Sequence, residues 1–319
     1  MDERFEEVKA DFEAYSIQEN GEYPEEVRTA ENETYVIRAD KNVVSILNYE
    51  IMENVSRTSM EERTSYNFDT STGKELKFTD VVKDTDAFCE LLDEAMEEDF
   101  GEWELSKASE YLKGLNNGNF TGFAWTLNAE GLTVYFDTYE LGDYDAGAQI
   151  VTVYFDEGEN IFESKYVKAE KDYVFPVFHD IMTLRLDVDD DGERDMVYIN
   201  NNYQVYEVEG GEYTQTSGAA LISGMNRLEF EGFESRAYIV KKEGKYYMYL
   251  FMNEVDDATL LYRIDINTMD QVEEDYIVAE LSTRYSNWVE NDDGERNTVQ
   301  EETFTDPDSF VMSKRFDML

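Results

Sequence analysis

Residues 187–195 read Asp-Val-Asp-Asp-Asp-Gly-Glu-Arg-Asp, with carboxylates at the first, third, fifth and ninth positions and glycine at the sixth. That spacing aims Asp187, Asp189 and Asp191 at one point while Gly192 allows a sharp turn. The carbonyl of Glu193 then faces inward at the seventh position, and Asp195 stands at the ninth. A set of hard oxygen donors suits calcium. A helix–loop–helix calcium site would need a bidentate glutamate at the twelfth position, which here is Tyr198. The flanks Leu184-Arg185-Leu186 and Met196-Val197-Tyr198-Ile199 alternate as strands do, so the loop should close a β-hairpin. An empty, solvated acidic turn is the competing reading, and another metal the third. A fainter copy at Asn291, Asp293 and Asn297 has Val289 where the first carboxylate belongs, and reads as a plain turn.

Other chemistry is thin. The single histidine, His179, sits in Phe175-Pro176-Val177-Phe178-His179-Asp180 and reads as a packing residue. The single cysteine, Cys89, cannot form an intramolecular disulfide or, with one histidine, a zinc cluster. No nucleophile elbow, phosphate loop or dinucleotide fingerprint is present, and choosing two of so many acids as a glycosidase pair would be arbitrary. No catalytic residue is nominated. Trp103, Trp125 and Trp288 could offer a platform for sugars, but indoles in β-rich domains are mostly packing residues.

The elements that must position the loop follow from periodicity. Phe5, Val8, Phe12 and Tyr15 have helical spacing and predict a lead-in helix within residues 1–29. Residues 34–52 predict two strands joined at Asp40-Lys41-Asn42, with a third near Thr64–Phe68. Phe88, Leu91, Leu92, Ala95 and Met96 repeat at helical spacing behind the cap candidates Thr79 and Asp84. A shorter helix over Ala108–Leu115 and strands at 123–127, 132–136 and 150–155 complete the segment to about residue 167. From residue 168 onward helical periodicity fades, and β-branched and aromatic runs alternate with glycine turns, including hairpins centred near Gly210 and Gly244. The expected layout is therefore a lead-in over 1–29, an α+β domain over 30–167, and an all-β domain over 168–319. The echo of Asp191-Gly192-Glu193-Arg194 at Asp293–Arg296 makes propeller-like repeats the expectation for that last part.

Hydrophobic residues are 41% of the 319 and aromatics 14%, enough for real cores, so wholesale disorder is excluded. Seventy-four acidic against 27 basic side chains leave a net charge of -47. Such a surface repels phosphate backbones and anionic headgroups, which disfavours nucleic acid and membrane-surface binding and favours cations or basic proteins. The start Met1-Asp2-Glu3-Arg4-Phe5 lacks the features of a signal peptide, so the chain reads as cytoplasmic or as the mature part of an exported protein. Calcium tilts the expectation outward, because cytosolic calcium would leave a weak site empty.

Tyr66-Asn67-Phe68-Asp69-Thr70-Ser71-Thr72-Gly73-Lys74-Glu75-Leu76, then Phe78-Thr79-Asp80, then Gly131–Phe136 and Tyr144–Ala148, resemble the extracellular domain family shared by the anti-sigma factor RsiV and the peptidoglycan deacetylase PdaC. The resemblance covers about residues 30 to 160. It implies an α+β fold without catalysis of its own, export, and a place on the surface of a Gram-positive bacterium. In RsiV this region binds lysozyme, a basic protein. Thr58-Ser59-Met60-Glu61-Glu62 stands where family members often carry Gly-Gly-Ala-His, so the family's ligand contacts are not carried over. The loop at Asp187 resembles those of FG-GAP and integrin-type repeats. Together these features predict a non-enzymatic, lipid-anchored surface or secreted protein, calcium-stabilised, binding a basic lysozyme-like protein or a wall or host glycan. The alternative is an accessory module of a cell-wall or glycan-processing enzyme.

Overall fold

A computed structural model describes residues 29–53, 59–101, 104–158, 160–168, 171–177, 182–209, 212–231, 233–253, 258–271, 276–280, 288–290 and 296–298. The predicted lead-in helix, His179 and the turn residues Asn291 and Asp293 lie outside them. Contacts divide the chain into two units, Met1–Glu33 with Tyr49–Glu62, and Thr34–Asn48 with Arg63–Leu319. The first contributes strand ends to the description. The second holds the loop and, among the described residues, two hydrophobic clusters, one around Phe78 and one around Val240 and Phe251.

Strands β1 (Thr29–Ala39), β2 (Val43–Glu53), β3 (Ser59–Asp69) and β4 (Lys74–Glu75) follow one another in a sheet. The β1–β2 turn falls at the expected Asp40-Lys41-Asn42, where the Asp40 carboxylate accepts the N–H groups of Asn42 and Val43 at 2.7 and 2.9 Å. After short helix α1 (Phe78–Val81) comes helix α2 (Thr85–Phe100), whose N-cap Asp84 accepts the Ala87 N–H at 3.0 Å. Its apolar stripe, Phe88, Cys89, Leu92 and Met96, is buried. Helix α3 (Ala108–Gly114) follows, then the antiparallel strands β5 (Ala124–Leu127), β6 (Gly131–Phe136) and β7 (Gln149–Tyr154). Phe78 sits at the centre of this core, with the rings of Phe88, Phe120, Phe123 and Trp125 at 5.1 to 5.7 Å. Polar side chains stitch β2 and β3 to β5 where no strand ladder joins them. The Ser45 hydroxyl accepts the Leu127 N–H at 3.0 Å, and the Asn67 amide donates to the Trp125 carbonyl at 2.8 Å.

Short helix α4 (Ser164–Val167) leads to β8 (Tyr173–Val177) and β9 (Leu184–Leu186). Strands β10 (Asp195–Glu209), β11 (Glu212–Ser223) and β12 (Asn226–Glu231) join β9 in one antiparallel sheet. Strands β13 (Phe233–Lys242), β14 (Lys245–Asn253) and β15 (Ala258–Asp265) pair beside β8 in another, with β16 (Asp270–Gln271) and β17 (Tyr276–Glu280) on β15. Strands β18 (Trp288–Glu290) and β19 (Arg296–Thr298) pair as a hairpin. The β13–β14 turn falls at Glu243 and Gly244, both at positive φ, as a tight hairpin requires.

The expected fold class is corrected here. The architecture is mainly β and not α+β, because among the described residues only α2 exceeds seven residues while strands run from β1 to β19. Nor do the sheets form a propeller. Strands β8–β17 lie in open antiparallel sheets built mostly of consecutive hairpin neighbours, with β8 beside β13 and β17 beside β15 as the exceptions, and no closed ring of blades exists among the described residues. Glycine turns at regular intervals announce hairpins, but hairpins build open meanders as readily as blades.

Candidate metal-binding loop

The acidic loop spans the turn between β9 and β10, with Asp195 opposite Leu186, Met196 opposite Arg185 and Val197 opposite Leu184. Leu184, Leu186 and Val197 are buried and anchor the hairpin by one face. Between them the chain turns through Asp190 at φ 63° and Gly192 at φ 89°. Aspartate and glycine tolerate this left-handed region, aspartate through its short polar side chain and glycine for want of a Cβ.

The turn gathers carboxylates. Oxygens of Asp187, Asp189 and Asp191 lie within 4.8 Å of one another. Two of these side chains also organise the loop. Asp187 accepts the N–H of Asp191 at 3.0 Å and that of Gly192 at 3.1 Å, and Asp191 accepts the N–H of Glu193 at 2.8 Å. Asp189 makes no such bond. Asp195 stands outside the triad but feels it. Burial first, and then the negative charge of Asp189, push its carboxyl above the usual range. Glu193 is exposed and its N–H is turned to Asp191.

The loop's own cation is committed elsewhere. The Arg194 guanidinium lies 4.1 Å from the centre of the Tyr154 ring, donates to Glu157 at 2.9 Å and pairs with Asp156. Three converging carboxylates therefore face each other without an arginine or lysine among them. Calcium holds oxygens at about 2.3–2.6 Å, so two ligands across one ion stand about 5 Å apart or closer, which the triad's spacing meets. The donor set is all carboxylate and offers no nitrogen or sulfur, which suits a hard cation over zinc.

Of the other residues singled out in the sequence, Trp103 and His179 lie outside the described residues, and Trp125 and Cys89 have packing roles. Trp125 is buried against Phe78 and presents no face to a sugar. Cys89 is buried in the same core, and desolvation pushes its thiol up to about 11. Asp69, in the Tyr66–Leu76 motif, accepts the Ser71 hydroxyl at 2.6 Å and the Ser71 and Thr72 N–H groups. It also pairs with Lys165 and accepts the Tyr166 hydroxyl at 2.9 Å. The motif is thus a turn tied to α4. One polar cluster escaped the sequence reading. Glu130, in the β5–β6 turn, accepts from Tyr246 at 2.7 Å, from Tyr173, and from Lys241 at 3.2 Å. Its members are far apart in sequence and share no spacing that would announce it.

No family profile matches the sequence, and no curated protein aligns with it. Among the solved structures that align with part of the chain are two described as members of the DUF3298 family. One, from Bacteroides fragilis, is 17% identical with a TM-score of 0.36, over 48% of this chain and 62% of that one. The other, from Pseudomonas aeruginosa, is 16% identical with a TM-score of 0.35, over 49% of this chain and 72% of that one. The chain spans less than two thirds of the Bacteroides protein.

Proposed function

We propose that this chain is a non-enzymatic binding protein of a bacterial cell surface, stapled by calcium at the β9–β10 loop, whose partner is a basic protein. The convergence of Asp187, Asp189 and Asp191 carries the metal part of this reading. A bound cation would relieve the mutual repulsion that also raises Asp195, and would lock the hairpin on which β10, β11 and β12 are built. Asp187, Asp189 and Asp191 would be its side-chain ligands, with the Glu193 carbonyl and Asp195 completing the shell. An extracellular site of this type binds at about 10⁻⁴ to 10⁻³ M, which in millimolar calcium stabilises the fold by about 1 kcal/mol.

The partner follows from charge. A net -47 concentrates cationic macromolecules around the molecule and speeds their encounter. The resemblance to the RsiV and PdaC domain family supports the same surface location. A glycan is the weaker reading, since Trp125 belongs to the core.

The metal assignment is tested by thermal melting with added calcium and with chelator. Calcium is expected to raise the melting temperature by about 2–4 °C, and the difference should vanish in Asp189→Ala. An unchanged melt in the unaltered chain would refute it.

A further inference from the structure

Helix α2 ends in an electrostatic conflict. Its last turns carry Asp93, Glu94, Glu97, Glu98 and Asp99, and its last turn has no basic residue. Glu97, Glu98 and Asp99, in the last turn, face the negative pole of the helix dipole, and Asp93 and Glu94 add like charge one turn earlier, which costs stability. On one side the chain resolves the conflict itself. Arg185 pairs with Glu98 at 2.7 Å and with Asp99 at 2.6 Å, and Asp93 accepts the N–H and hydroxyl of Ser109 at 3.0 and 2.6 Å. On the other side it does not. Glu94 and Glu97, one helical turn apart, are exposed and have no ion-pair partner among the described residues.

These two carboxylates border a groove of about 430 Å³ between α2 and the start of α3. Met96, Phe100 and Leu105 supply its apolar lining, and Lys107 adds the one cation, paired with neither glutamate. Gly101 also lines it, and a Cβ there would press on the Glu97 carbonyl oxygen.

We propose that this groove is the docking site for the basic partner, and that it takes a segment presenting lysine or arginine beside an apolar side chain. The ammonium or guanidinium would sit between Glu94 and Glu97 near the negative helix end, and the apolar neighbour would cover the half-buried Phe100 and Leu105, with Met96 beneath them. The two bare carboxylates are the complement that the partner supplies, as Arg185 supplies it within the chain for Glu98 and Asp99. A second copy of this chain is a poor occupant, because its own -47 would be repelled. This assignment rests on the reading of a basic partner and adds the place and the mixed character of the contact.

The test uses the full chain with two synthetic probes of equal charge, an amphipathic lysine–leucine peptide and polylysine. The double variant Glu94→Gln/Glu97→Gln is expected to bind the lysine–leucine peptide about tenfold more weakly while melting about 1–3 °C higher, since the helix end loses two unfavourable charges. Glu243→Gln/Asp270→Asn removes the same charge from exposed hairpin positions that do not line the groove and should change binding less than about twofold. The unaltered chain should prefer the lysine–leucine peptide to polylysine, and binding should move the methyl resonance of labelled Met96. Equal weakening by the two variants, equal affinity for the two probes, or an unmoved Met96 signal would each overturn the groove. Self-association without added probe, abolished by Glu94→Gln/Glu97→Gln, would assign it to a second copy and overturn the proposal as well. If the unaltered chain binds neither probe, the basic-partner reading falls, and the groove assignment with it.

Discussion

At Asp187 and Asp189 the same side-chain type does two different jobs. Asp187 accepts two backbone N–H groups and so holds the turn even without an ion, whereas Asp189 makes no such bond and contributes charge alone. Removing either should abolish a calcium response, but their effects without calcium should differ. Asp187→Ala is expected to cost about 1–2 kcal/mol in chelator, while Asp189→Ala should melt at or slightly above the unaltered chain, because it also lessens the repulsion on Asp195. Chelator melts of the two variants side by side provide the check. Asp69 gives a pH signature of the opposite kind. Its bonds to Lys165, Ser71 and Tyr166 hold its carboxyl well below the usual range, so its stabilisation is complete above the ordinary carboxylate range and is lost as pH falls through and below it. Asp69→Asn should therefore melt lower than the unaltered chain at pH 7, with the gap narrowing as melts are repeated from pH 5 down to pH 3.

The elements show where local pattern suffices. Helix α2 was legible from Phe88, Leu91, Leu92, Ala95 and Met96 behind the cap candidates Thr79 and Asp84, of which Asp84 is the cap, because a 3.6-residue period and a side-chain acceptor are both local properties. The predicted strands at 123–127 and 132–136 imply the β5–β6 turn, but not the need for glycine at Gly131. A Cβ there would lie 2.6 Å from the Val153 carbonyl oxygen and 2.7 Å from the Thr152 methyl, on the strand that pairs Tyr154 with Gly131. Gly131→Ala is expected to destabilise by about 1–3 kcal/mol, read as a shift in the denaturant midpoint. The hairpin at Asp187 stood out because alternation flanks it directly. The groove beside Glu94 did not, since it needs α2 and the start of α3 brought together.

Across the molecule the acidity is the dominant physical fact. A partner drawn by that charge should bind steeply less well as salt rises, because screening at 0.15 M already shortens electrostatic reach to about 8 Å. Pull-down of lysozyme, taken as a basic protein, should fall at least several-fold between low salt and about 0.5 M. Binding indifferent to salt would remove charge as the cause. Fold class is also a property of this scale, and it is where the expectation of an α+β domain and propeller-like repeats gave way to open antiparallel sheets. Strand pairing joins residues such as Tyr173 and Lys241, or Val177 and Ala237, across separations that no periodicity encodes.

What the amino-acid order determined by itself is therefore short in range. It specified the carboxylate spacing around Gly192, the capped helix behind Asp84, the strand-and-turn alternation and the excess of negative charge. The tertiary structure alone decided which sheet each strand joins, that Arg194 turns to Tyr154, Asp156 and Glu157 and leaves the aspartate triad without a cation, and that Arg185 neutralises one side of a helix end while the other stays bare. The reason is physical. Turn geometry and helical period depend on neighbours a few residues away, whereas compensation of charge and closure of sheets depend on contacts that exist only after the chain has folded back on itself.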